Sequence, residues 1–123
     1  VVEPGDAWPL VRATQSEGWW SMPTIRARGM DPIVRIAVSL ESADGHEIAA
    51  ASHVVKLFAG PDGWREFVNY PFEVVQGYEP ASVVDELDGQ QVTVRGLVSD
   101  DGSELAWTLP VVLVKQDGEA VTR

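Results

Sequence analysis

Residues 33–41 read Ile33-Val34-Arg35-Ile36-Ala37-Val38-Ser39-Leu40-Glu41. Val34, Ile36, Val38 and Leu40 fall on one side of an extended chain, with Arg35, Ser39 and Glu41 on the other. Successive side chains of a strand point to opposite faces, so this is a strand with one buried face. Asp44-Gly45 follows at once. Asp-Gly suits a type I′ turn, because both central residues take positive φ and glycine does so freely. The same dipeptide recurs at 62–63, 88–89, 101–102 and 117–118. Four of the five precede a strand-like segment and the fifth closes the last one, which is hairpin punctuation.

Working outward, residues 46–58 read as a second strand whose alternation slips at Ala49-Ala50-Ala51, where a bulge or a close sheet contact is expected. Residues 91–99 alternate again, with Val92, Val94 and Val98 inward and Thr93 and Arg95 outward. In 104–115, Leu105, Trp107, Leu109, Val111 and Leu113 share a face. Val112 and Val114 make the opposite face apolar too, so this strand is central or covered on both sides, although Pro110 interrupts its ladder. Residues 64–75 place Trp64, Val68, Tyr70, Phe72 and Val74 on one face, with Glu66 intruding. Pro71 cannot donate to a ladder, so this is an edge strand. Pro80 to Leu87 suits a two-turn helix that Gly89 stops. Strands near 8–14 and 24–29 flank a loop holding Gly18-Trp19-Trp20. The whole, residues 1–123, reads as a single all-β domain: an antiparallel β-sandwich or small β-barrel of about seven strands, with one short helix near 80–87.

Composition agrees. Nineteen valines and five tryptophans favour strands, and 45% apolar residues suffice for one packed core. Nineteen acidic and nine basic residues give a net charge of −10. All of it lies after residue 40, since four acids and four arginines cancel before that point. No basic footprint exists for nucleic acid or for an anionic membrane surface, and no apolar run approaches a membrane span. Many of the aspartates are turn residues, so the acidity follows largely from hairpin building. The absence of cysteine fits a reducing compartment and a disulfide-free extracellular module equally, and leaves localisation open.

Trp19, Trp20 and Trp64 are the candidate partner- or ligand-binding residues. An indole offers a large apolar area and one donor, which suits contact surfaces and sugar stacking. If residues 19–20 are extended, Trp19 and Trp20 point opposite ways and one core cannot hold both. The spacing Gly18-x-Trp20 resembles the first-strand signature of lipocalins, which would imply a ligand-binding barrel. The resemblance covers those two residues, and Pro23 falls where that family's first strand is long and regular.

His46 and His53 show no metal-ligand spacing, and neither metal nor cofactor is expected. Asp85-Glu86-x-Asp88-Gly89 and Asp100-Asp101-Gly102 lack the alternating order and distal glutamate of a calcium loop. Glu66 is the acid closest to an apolar face, either a tuned acid in a pocket or the partner of an arginine such as Arg35 or Arg95. No nucleophile or phosphate-loop motif occurs, which leans against catalysis. The expected function is a non-catalytic module that binds a protein partner, or itself, through surface aromatics. The alternatives are a small barrel enclosing an apolar small molecule, as carrier or cyclase-like enzyme, and a carbohydrate-binding module.

Overall fold

The computed structural model describes residues 5–12 and 18–116. In chain order the strands are β1 (Ala7–Arg12), β2 (Trp19–Ser21), β3 (Ile25–Ala27), β4 (Ile33–Glu41), β5 (Glu47–Lys56), β6 (Phe58–Ala59), β7 (Arg65–Phe67), β8 (Phe72–Val75), β9 (Gln91–Ser99) and β10 (Glu104–Lys115). Among the described residues one α-helix, α1 (Ala81–Leu87), lies between β8 and β9. The hairpin strands 33–41, 91–99 and 104–115 keep the bounds that their alternation predicts.

Seven strands form one sheet in the order β5-β4-β9-β10-β1-β2-β8, and its end strands β5 and β8 return to one another. The sheet is therefore a nearly closed barrel. Strands β3, β7 and β6 form a separate small sheet. Pairing is antiparallel except between β1 and β10, which run parallel with Trp8 opposite Leu113. That pair lets β1 slot between β10 and β2, so β10 is central, as its two apolar faces predict. Pro110 costs no bond to β9. Its carbonyl accepts from Gly5 N at 2.8 Å on the β1 side, and a residue's N–H and C=O point the same way.

Val34, Ile36, Val38 and Leu40 are all buried, together with Val92, Val94 and Val98 opposite them on β9. Each such side chain contributes roughly 1.5–3 kcal/mol on leaving water. Trp8, Leu10, Tyr70, Phe72, Val111 and Leu113 complete the same core, and β3 adds Ile25 and Ala27. Helix α1 packs against β10, burying Val84 with Val83 and Leu87 partly covered. Lys115 ties it down, its N–H donating to Asp88 Oδ1 at 2.9 Å and its Nζ to Asp85 Oδ1 at 2.7 Å.

The structure departs from the sequence reading in three places. Residues 64–75 are not one strand: β7 belongs to the small sheet and β8 to the barrel. Asn69 between them has φ 56°, a left-handed conformation that asparagine tolerates, and Pro71 offers no donor. The edge position expected for 64–75 holds for β8, which ends its sheet, and fails for β7, the middle strand of the small sheet. Residues 19–20 are strand rather than loop, since β2 pairs with both β1 and β8. The bulge between β4 and β5 falls at Ile48, one residue before the alanine run, because Leu40 faces Ala49 while Glu41 faces Glu47.

Of the Asp-Gly turns, Asp62-Gly63 takes positive φ at both residues (59° and 79°) and joins β6 to β7. That is the type I′ geometry. At 44–45 and 88–89 only the glycine is left-handed. Residues 117–118 lie outside the described chain.

Candidate functional site

The site begins with a glycine. Gly96 lies on the inner face of β9, opposite Trp107 on β10. A Cβ at Gly96 would stand 2.1 Å from Trp107 Cζ2 and 2.2 Å from Cε2, so the indole lies directly over the bare glycine backbone. Strand sterics thus aim Trp107 into the barrel, and the missing side chain gives its ring a bed.

Above that ring the barrel is not filled. A cavity of about 520 Å³ opens there, with Trp8, Val94, Trp107 and Leu109 on the barrel side. Pro23, Thr24, Ile25 and Val68, with Arg26 and Glu66, form the side contributed by the small sheet and its flanking turns. Most of this lining is apolar. Trp8 is buried, its ring tilted against Phe72 with centroids 6.2 Å apart, and so forms a rigid floor. Val68, 57% exposed, is the lip.

One ion pair interrupts the apolar wall. Arg26 and Glu66 face each other in the β3–β7 register, and Arg26 Nε donates to Glu66 Oε2 at 3.0 Å. Glu66 therefore pairs with Arg26 rather than with Arg35 or Arg95. Arg95 pairs instead with Glu41 at 3.1 Å, and Arg35 donates to Ser52 Oγ. The sequence could not bring residues 26 and 66 together, because the split of 64–75 into two sheets is what puts them on neighbouring strands.

The three tryptophans singled out from sequence do not meet. Trp19 is half-buried against the core, with the Arg12 guanidinium 5.9 Å and Lys115 Nζ 5.5 Å from its ring centre. Trp20, its neighbour in β2, is half-buried and, unlike Trp19, does not pack against the core cluster. Trp64 is half-buried beneath Arg28, whose guanidinium sits 4.5 Å from the ring centre and also donates to Asp62 O at 2.6 Å. The indoles that converge on a cavity are Trp8 and Trp107. Sequence reasoning placed Trp107 in the core, and the signal that distinguishes it is Gly96 at the facing position of the neighbouring strand.

The remaining polar candidates hold the fold together. Asp100 accepts from Asp31 N, Gly102 N and Ser103 N at 2.8–2.9 Å, and these bonds hold its carboxyl below the usual range. His46 pairs with Asp44 at 3.3 Å. His53 Nδ1 lies 2.7 Å from the hydroxyl of fully buried Tyr70, a bond that spans the β5–β8 seam of the barrel. Among the described residues no three His, Asp or Glu side chains converge as a metal site would need, and no helix is long and apolar enough to cross a membrane.

Trp20 falls in a three-residue strand that Gly18 only precedes, in a sheet whose order is not sequential, unlike the long, regular first strand that a lipocalin resemblance implies. A scan of the chain against protein-family models finds no match, and neither does a search of curated proteins.

Proposed function

We propose that this domain binds a small, flat, apolar molecule in the mouth of its barrel. The carrying observation is the cavity of about 520 Å³ floored by Trp8 and Trp107. Its size and its mix of apolar wall with a few polar groups match ordinary ligand pockets, which run roughly 300–1,000 Å³. The shape favours a planar occupant, since Trp107 presents a flat ring held against Gly96. Trp19 and Trp64 support a surface-stacking role less well, because cations already occupy positions over their rings.

The test is a titration of the whole chain with 2-naphthalenemethanol, followed by amide chemical shifts. Saturable changes centred on Ile25, Val68, Val94, Trp107 and Leu109 are expected. Val68→Trp, a change at an exposed lip that leaves the core intact, should fill the opening and abolish them. Absence of saturation, or changes centred on Trp19 and Trp64, would refute the reading.

A second reading, a module for a protein partner, draws on a different place. Ile33 and Val54 are both exposed on the outer face of the β4–β5 pair, diagonal to one another in its register. Ile33→Lys with Val54→Lys would break such an association and leave naphthalenemethanol binding unchanged.

A further inference from the structure

We propose that the ligand of this cavity carries a carboxylate or a similar planar anion, and that Arg26 receives it. The inference rests on the pocket reading above and specifies its chemistry.

A guanidinium has five N–H donors in a rigid plane. At Arg26 only the Nε–H is engaged, by Glu66, and no other partner of the group lies among the described residues. The two terminal nitrogens form the fork that matches a carboxylate with two parallel bonds. Arg26 is also the more open member of the pair: its side chain is 49% exposed against 21% for Glu66. A ligand head group entering from solvent therefore reaches the guanidinium before the carboxylate.

Glu66 has a positioning role. Cross-strand pairing on β3 and β7 fixes its Cα opposite that of Arg26, and its Oε2 pins the guanidinium by one edge. An arginine already held on one side loses less freedom when its other edge binds. The apolar lining strengthens the contact by excluding water from one side of it. The net charge of −10 opposes an anion only at long range. At physiological ionic strength charges beyond about 8 Å are largely screened, so the adjacent guanidinium decides.

The experiment compares three probes with one ring system on the whole chain by calorimetry: 2-naphthoate, 2-naphthalenemethanol and 2-naphthylmethylammonium. The naphthoate should bind about tenfold or more tighter than the alcohol, as a charge-assisted fork requires. Its affinity should fall with added salt while that of the alcohol stays constant. Arg26→Gln should erase the difference between naphthoate and alcohol, and Arg26→Lys should restore only part of it, because an ammonium lacks the planar fork. Circular dichroism checks that both variants fold. Equal binding of naphthoate and alcohol would overturn the inference and leave the pocket standing. Tightest binding of the ammonium probe would overturn it in favour of Glu66 as the receiving group. If none of the three binds, the pocket reading falls as well.

Discussion

Replacing Gly96 with alanine adds one methyl group at the point where the Trp107 ring rests. That carbon would lie 2.1 Å from Cζ2 and 2.2 Å from Cε2, whereas non-bonded carbons settle at about 3.5–4.0 Å. The indole must therefore retreat by about 1.5 Å, and the direction open to it is the cavity it borders. Overpacking a well-filled core costs about 1–3 kcal/mol, and a ring with free space beside it belongs at the lower end. Alanine regains roughly 0.5–1 kcal/mol over glycine within a regular element, so the net loss is ~0.5–1 kcal/mol. With a urea slope of about 1–3 kcal/mol/M, the unfolding midpoint drops by ~0.2–1 M. The effect on the pocket is larger. A displaced indole takes the space of a planar ligand, and losing about 1.4 kcal/mol of contact already weakens binding tenfold. The assay pairs urea unfolding with naphthalenemethanol titration for Gly96→Ala, Trp107→Leu and the double variant. In the Trp107→Leu background the added methyl should cost nothing, which isolates the clash as a coupling between the two positions. If Gly96→Ala costs the same with and without Trp107, or leaves affinity untouched, the ring does not rest where the pocket needs it.

Two further outcomes follow from the hydrogen bonds. Asp100 has its folded pKa lowered, first by the Asp31 N–H and then by those of Gly102 and Ser103. Its contribution is therefore complete above the unfolded value near 3.9 and is lost as pH falls through the lower folded value. Urea midpoints measured between pH 7 and pH 3 should show a flatter acid decline for Asp100→Ala than for the wild type. Burial pushes the Tyr70 phenol above its ordinary value of 10, so its stabilising effect is intact below that pH and fades as unfolded tyrosine ionises above it. Tyr70→Phe should remove the late step of the 295 nm alkaline titration. It should also cost about 0.5–1.5 kcal/mol for the lost seam bond, with faster hydrogen exchange along β5 as the local readout.

What could be read in the sequence was what local chemistry decides. The strand 33–41 needs no partner to be recognised, because its period-two pattern is strong over nine residues. The same holds for 91–99 and for the helix between Pro80 and Gly89. What could not be read was set by contacts between distant segments. Trp64, Val68, Tyr70, Phe72 and Val74 obey one alternation, but Asn69 and Pro71 turn the chain so that two sheets share it. Trp19 and Trp20 looked like loop residues because Gly18 precedes them and Pro23 follows. Only the pairing of Trp19 with Arg12 and Val75, and of Trp20 with Val11 and Glu73, makes them strand. The cavity was hidden for the same reason: its charged pair joins residues 26 and 66, and its floor depends on Gly96 facing Trp107. A glycine alone in a strand pattern marks close approach of another group, and here that group is the indole across the ladder.

The parallel pairing of β1 with β10 has a consequence for how the molecule is made. Trp8 finds its neighbour Leu113 only after β10 has emerged from a ribosome. Until then the N-terminal strand has no parallel neighbour, and β1 and β2 reach the hairpins only through the contact of β8 with β5. The hairpins turning at 42–46 and 100–103 close early, whereas this contact bears the loop-closure entropy of the chain between Trp8 and Leu113 and closes late. A chain cut before β10 would leave both halves with open edges, the condition under which strands pair with those of other molecules. Emergence of β10, rather than any single hairpin, is thus the event that makes this barrel.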